Sequence, residues 1–223
     1  MSNHSNTTSL RRIVFALILL VVPAVHAGPP MLCHPFDTAG APSLPWSKQG
    51  WNGARGDYEI DRLVADTQAL LAADTPVIAR METLRRAAIY AARDGAVARA
   101  LFARLDARIA VAPNARARAL ALFDAGYFAE TVQDIVRLQS YDMPGLGKVD
   151  VAALKSILVR GDGSRRIAQA IELAPQDASM RFAAALVSMA DQRRSDYREH
   201  AAIARAGARD DRLLARNIGQ VAN

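Results

Sequence analysis

The sequence predicts an all-α protein of antiparallel helix hairpins, preceded by an extended N-terminal arm. Alanine and arginine are abundant, and both residues favour the helix. From Tyr58 onward the apolar residues recur at intervals of three and four, as they do along one face of a helix. We find no segment in which polar and apolar residues alternate, which is the pattern of a half-buried strand.

Residues 1–27 have the order of a secretory signal peptide. A polar start ends in Arg11 and Arg12, the apolar run IVFALILLVV follows, and Val25 and Ala27 occupy the small-residue positions before the expected cut. The apolar run is shorter than the roughly 20 residues that cross a bilayer, so an uncleaved anchor is the less favoured alternative. We therefore expect a periplasmic or secreted protein, for which nucleic acid is not a partner.

Residues 28–56 predict an extended arm. Prolines and glycines are frequent here and no helical spacing is present. Trp46 and Trp51 lie in this segment, and large aromatic side chains need cover from water. We expect the arm to pack on the helical body of residues 57–223, with the two tryptophans over part of its groove or against the first helix pair.

The first three helices are expected to be separated by clear breaks. The sequence Asp74-Thr75-Pro76 ends the first helix, because proline suits the start of the next one. In the second helix, Glu82 and Arg86 lie one turn apart, which predicts an ion pair. The sequence Asp94-Gly95 ends that helix, and Pro113 ends the third.

The later part of the chain repeats a pattern. The segments RIAVAPNA and AIELAPQDA each place a proline after an apolar helix end, and Pro113 and Pro175 lie 62 residues apart. Between them, Gly126 in LFDAGYFAETVQDI predicts a break between two helices. A further helix is expected to begin around Asp196.

These segments resemble the tetratricopeptide repeat family over about residues 113–206. Residues 170–175 are similar to the close of that repeat's second helix. The turn between the two helices is resembled twice, by Gly126, Phe128 and Glu130 and by Asp196, Tyr197 and Glu199. The proline spacing is a little under two repeats of about 34 residues. The resemblance implies a solenoid of stacked antiparallel helix pairs with a concave face, and such repeats usually bind other proteins.

Stacking also accounts for the alanine content. One helix pair cannot bury both of its apolar faces, so neighbouring pairs stack and share a core. Small side chains, as in RFAAAL, allow the helices to approach closely. These alanines therefore need no functional explanation.

The basic residues are concentrated in one region. From Arg85 to Arg118 the chain has eight arginines and two acidic residues, a local net charge of +6. Such a face suits an acidic protein or an anionic membrane surface, although a solvated helix surface has the same appearance. The candidate partner-binding residues are Trp46, Trp51, Arg85, Arg86, Arg99, Arg104 and Arg108.

Cys33 is the only cysteine and directly precedes His34. Together with His200 these residues are the candidates for a metal or redox site, because thiolates and imidazoles bind metals and serve in catalysis. Three such ligands would meet only if the arm folded back over the last helices. A lone cysteine cannot form an internal disulfide. Its alternatives are burial as a small hydrophobic residue or pairing with another chain.

The leading hypothesis is an exported helical-repeat protein that acts as a protein-binding or scaffold module in the cell envelope. One alternative is a small redox or metal-binding protein using Cys33 and His34. Another is a binder of anionic envelope surfaces through its arginine-rich helices. No nucleophile elbow, phosphate loop or zinc-protease motif is present in the sequence, and we predict no catalytic residue and no cofactor.

Overall fold

A computed structural model describes residues 31–47, 51–141, 143, 146–160 and 162–221. In this part of the chain the all-α prediction is confirmed, because it contains nine α-helices packed against one another and no strand. The helices are α1 Leu63–Leu70, α2 Val77–Ala91, α3 Gly95–Ala110, α4 Ala115–Arg137, α5 Val151–Arg160, α6 Gly163–Leu173, α7 Ala178–Ala190, α8 Arg194–Gly207 and α9 Arg212–Asn217. The expected signal peptide, residues 1–27, lies outside the described residues.

Side-chain caps determine where most of these helices begin. An aspartate or asparagine precedes the first residue of six helices, and its side chain accepts hydrogen bonds from the free N–H groups of the first turn. The capping residues are Asp94 for α3, Asn114 for α4, Asp150 for α5, Asp162 for α6, Asp177 for α7 and Asp211 for α9. The break predicted at Asp94-Gly95 coincides with one of these caps, and Pro76 directly precedes α2.

The break predicted at Gly126 is wrong, because α4 continues through this residue from Ala115 to Arg137. Gly126 instead allows α6 to approach. A Cβ added to Gly126 would lie 2.8 Å from the carbonyl oxygen of Gly163, and one added to Gly163 would lie 2.5 Å from Oε1 of Glu130. A glycine inside a helix costs about 1 kcal/mol relative to alanine, and the close contact between α4 and α6 offsets that cost.

The other residues compared with a repeat turn also lie within helices. Phe128 and Glu130 are in the second half of α4, and Asp196, Tyr197 and Glu199 are in the first half of α8. The turn assignments are therefore wrong at both places. The likeness to tetratricopeptide repeats stays a prediction.

Helix α4 occupies the centre of the body. It packs against α2, α3, α5 and α6, while α7 pairs with α8. Helices α2 and α7 also contact each other, and both contact α4. These three helices form one continuous inner face. In the described part of the chain, none of the helices is both long and apolar enough to cross a membrane.

The arm lies against this inner face and belongs to the core. Four of its large apolar side chains, Met31, Leu32, Phe36 and Leu44, are each no more than 5% exposed. The Phe36 ring meets the Phe182 ring of α7 edge-on, with centroids 6.0 Å apart. Burial of four such side chains is worth about 6–12 kcal/mol before the entropy of ordering the arm is subtracted. The arm is therefore a structural part of the body.

Candidate partner-binding grooves

The inner groove is the channel between α2, α4 and α7 in which the arm lies. Side chains of α2 hold the arm there mainly by its backbone, whose carbonyl oxygens accept hydrogen bonds. The bonds run from Arg85 to Leu32 and Trp51 (3.1 Å each), from Arg86 to Leu44 (2.7 Å) and from the Tyr90 hydroxyl to Pro45 (2.6 Å). Bonds of this kind depend on an extended chain and little on which side chains that chain carries.

Glu82 organises the donors on α2. Its buried carboxylate accepts two hydrogen bonds of 2.8 Å from Arg85 and one of 2.6 Å from Arg86. The Phe36 N–H of the arm donates a fourth, at 3.1 Å. Ionised partners and a full set of bonds offset the cost of burying this charge. The ion pair predicted between Glu82 and Arg86 is confirmed.

Two carboxylates of α4 are largely buried, Asp134 against the arm and Glu130 against the first turn of α6. Asp134 accepts a hydrogen bond from the Leu32 N–H at 3.4 Å, and burial raises its pKa to about 6. Burial also raises the pKa of Glu130 to about 7, and the nearby Asp191 carboxylate adds to the shift. The Ser164 N–H at the start of α6 donates to Glu130 and partly opposes the shift. Both carboxyls thus titrate near neutral pH.

The C-terminal end of the chain secures the other side of the arm. The Asn217 side chain of α9 donates to the Asp37 carbonyl oxygen at 2.9 Å and accepts from the Asp37 N–H at 2.8 Å. Gln220 donates to the Pro35 carbonyl oxygen at 3.1 Å, and Arg216 donates to the Asp37 carboxylate at 2.8 Å. The arm is thereby held between α2 and α9.

Trp46 and Trp51 both lie beside α2. The Trp46 and Tyr90 rings meet edge-on, with centroids 5.8 Å apart. The guanidinium groups of Arg85 and Arg86 each lie 5.3 Å from the centroid of the Trp46 ring. The Trp51 side chain is partly buried against the core. Both tryptophans help to hold the arm on α2 in this arrangement.

The structure does not join the candidate metal and redox residues into one site. Cys33 is partly buried, which raises the pKa of its thiol, and the Asp134 carboxylate raises it further. Such a thiol stays protonated at neutral pH and is a poor nucleophile. Nδ1 of His34 lies 3.0 Å from Oε1 of Gln220. Nδ1 of His200, on α8, lies 3.3 Å from the Arg181 guanidinium, and burial lowers the pKa of His200.

The described part of the chain contains no group of three histidine, cysteine, aspartate or glutamate side chains arranged as metal ligands. The fold does bring Cys33 and His34 toward the C-terminal helices, but it places His34 against an amide and His200 against an arginine. Neither neighbour completes a ligand set.

The candidate arginines separate into three groups. Arg85 and Arg86 line the inner groove. Arg108 donates to the Leu71 carbonyl oxygen at 2.8 Å and to the Asp124 carboxylate at 3.1 Å, so its position is structural. Arg99 and Arg104 lie exposed on α3 and are the two that face solvent.

A buried charge cluster was not predicted from the sequence. Arg80 and Asp124 have fully buried side chains and pair at 2.6 Å, and Arg80 also donates to the carbonyl oxygens of Thr75 and Ala72. The sequence did contain a signal for this cluster, because each is a charged residue between apolar neighbours: Arg80 in VIARMETL and Asp124 in LALFDAGY. Such residues are rarely buried without a partner.

A second groove, the outer groove, opens between α3 and α5 and has a volume of about 720 Å³. Its lining residues are Arg99, Phe102, Ala103, Asp106, Ala107, Ser156, Ile157 and Arg160. Phe102 and Ile157 are buried and form an apolar floor. Arg166 lies over the Phe102 ring at 5.4 Å and pairs with Asp106. Arg99 and Arg160 are exposed and have no ion pair with any described residue.

Comparison of the chain with protein family models, with curated proteins and with solved structures found no match. The interpretation of both grooves therefore depends on the residues of this chain.

Proposed function

We propose that the protein is an exported protein-binding or scaffold module of the cell envelope. The observation that carries the proposal is the outer groove, which combines an apolar floor with two arginines that have no ion pair within the described chain. Protein-binding sites commonly have an apolar centre and arginine at the contact.

The inner groove is already occupied by the arm, which supports the outer groove as the partner-binding surface. The arm fills the inner groove with four buried side chains. A partner that entered it would have to replace these apolar contacts and the hydrogen bonds to the arm before it gained any affinity. The inner groove thus serves the stability of the module, while the outer groove is available to a partner.

The surroundings of the single thiol argue against the redox alternative. Partial burial and the Asp134 carboxylate hold the pKa of the Cys33 thiol above its usual range, whereas reactive cysteines have a lowered pKa. A protonated thiol beside an amide-bonded histidine suits a packing role better than a reactive one.

The proposal is tested by crosslinking in cells that express the full chain. A photoreactive amino acid is placed at Ala103, which is exposed in the outer groove, and in a control at Ala168, which is exposed on α6 outside it. We expect one or a few discrete crosslinked protein species from the Ala103 position that the control position does not produce. Equal background labelling at both positions would contradict the proposal.

A further inference from the structure

We propose that the outer groove docks a single amphipathic helix of a partner protein, with acidic residues beside the apolar face of that helix. This inference depends on the proposed protein-binding function and adds the chemical nature of the partner. It follows from the shape of the groove, from its charges and from the depth of its floor.

The shape suits a helix because the two walls are themselves helices that start together. The Asp150 N–H at the start of α5 donates to the Ala92 carbonyl oxygen just before α3, at 2.9 Å. A Cβ added to Gly95 would lie 2.3 Å from Cβ of Ala153, so the two helices are closely packed at this end. Packed helices leave a long groove along their contact, and a third helix lies in such a groove as its neighbour.

The walls of the groove are low. Apart from the charged residues, the exposed side chains that line the walls are small: Ala103 and Ala107 on α3 and Ser156 on α5. Small side chains allow a third helix to come within the usual 8–10 Å of the two axes. The apolar side chains of that helix would then reach the floor at Phe102 and Ile157.

The charges select an acidic partner. Arg99 is on the α3 wall and Arg160 is on the α5 wall, so one cation stands on each side of the groove. Because Gly95 of α3 lies against Ala153 of α5, Arg160 lies about three residues, or about 5 Å, farther along the groove than Arg99. An amphipathic helix with a carboxylate on each border of its apolar face would pair with both.

The acidic groups near the groove are already engaged. Asp106 pairs with Arg166, Asp94 accepts from two N–H groups at the start of α3, and Asp150 accepts from the Ala153 N–H at the start of α5. Exposed Arg104 and Lys155 on the same two helices add further positive charge. The local field therefore attracts carboxylates.

The depth of the floor favours a helix over a membrane. Phe102 is 5% exposed and Ile157 is 2% exposed, so neither side chain projects beyond the walls. A flat lipid surface would contact the walls and the arginines but could not reach the floor. A narrow helix can reach both.

The test is a displayed library of amphipathic helical peptides in which the positions flanking the apolar face vary among Glu, Gln and Lys. The library is selected against the native full chain, and the peptides recovered are measured by fluorescence anisotropy. We expect Glu to be enriched on both flanks and the affinity to fall with added salt, because exposed ion pairs are screened.

Two pairs of variants locate the binding site. Arg99→Gln with Arg160→Gln removes the groove cations, and Arg104→Gln with Arg118→Gln removes the same charge from exposed positions that do not line the groove. Ala103→Trp fills the groove, and Ala100→Trp adds the same side chain to an exposed position of the same helix outside it. We expect at least a tenfold loss of affinity from each groove variant and less than a threefold change from each control.

Three outcomes would overturn the inference. The first is a selection in which Glu is not enriched. The second is a set of peptides that bind the groove variants with the same affinity as the native protein. The third is binding to vesicles of anionic lipid that requires Arg99 and Arg160, while no peptide is enriched. If crosslinking at Ala103 still captures a partner, only the acidic helix is wrong. If crosslinking also fails, the proposed function is wrong as well.

Discussion

Individual buried charges in this protein are stabilised by partners that are distant in the sequence. Asp124 of α4 pairs with Arg80 of α2 and with Arg108 of α3, and so links three helices. Glu82 and Asp134 bind the N–H groups of the arm from opposite sides of the inner groove. A buried charge that loses its partner is far more costly than a surface charge that does so.

Substitution Asp124→Asn is expected to destabilise the protein by about 3–5 kcal/mol, because it leaves the fully buried Arg80 without a counter-charge. Urea denaturation followed by circular dichroism measures the change. The matched control is Asp57→Asn, which removes an exposed partner of Arg55 and should leave the midpoint unchanged. Equal effects of the two substitutions would show that the buried pair contributes no more than the exposed one.

Glu130 gives the stability a pH dependence. Its pKa is raised to about 7 in the folded protein, against about 4.3 for a free glutamate. The folded state therefore binds more protons between these values, and the free energy of unfolding falls as pH rises from about 4.5 to 7. Burial, Asp191 and Asp134 favour the protonated form, whereas the Ser164 N–H and Arg137 oppose it.

In Glu130→Gln we expect this fall in stability to shrink by on the order of 2 kcal/mol between pH 5 and pH 8. Part of the slope remains in this variant, because the pKa of Asp134 is also raised, to about 6, and this too makes the free energy of unfolding fall as pH rises. Urea denaturation at the two pH values checks the result, with exposed Glu172→Gln on α6 as the control. An unchanged slope in Glu130→Gln would contradict the assignment.

At the scale of elements, the contact between α4 and α6 depends on glycine at two positions. Gly126 and Gly163 face each other, and a side chain on either would overlap the opposing backbone. The same contact brings the first turn of α6 to Glu130. Gly126, at which the sequence predicted a helix break, is thus explained by the close packing of α4 and α6.

Substitution Gly126→Ala would stabilise an isolated helix by about 1 kcal/mol, but here we expect a loss of about 1–3 kcal/mol through overlap with the Gly163 carbonyl. Thermal denaturation measures the sign. The control is Gly219→Ala, since an added Cβ there meets nothing within 4 Å. A higher melting temperature for Gly126→Ala would mean that α6 can move away at little cost.

At the scale of the whole molecule, the arm connects the two ends of the chain. It lies on α2 and α4 through Leu32 and Phe36 and on α9 through Asp37. The hydrogen bonds to α9 join residues 180 positions apart. We therefore expect the arm and the helical body to unfold together in one transition.

Substitution Asn217→Ala tests this connection. It removes the bonds to the N–H and the carbonyl oxygen of Asp37, and it should destabilise the protein by about 1–3 kcal/mol because buried polar groups lose their partners. Hydrogen exchange should become faster at the amides of Leu32, Phe36 and Asp37. Exposed Gln169→Ala on α6 is the control. Faster exchange at Asp37 alone would show that the arm is held in independent parts.

The sequence by itself determined the helical class, the break at Asp94-Gly95 and the pair of Glu82 with Arg86, because caps and neighbours one turn apart involve only a few adjacent residues. The tertiary structure alone decided that α4 passes through Gly126, that Asp124 pairs with Arg80, and that the arm fills the inner groove while the described residues leave the outer groove uncovered. These features join residues from 34 to 180 positions apart. Such contacts depend on how packed helices exclude water and match charges, and no local pattern encodes that match.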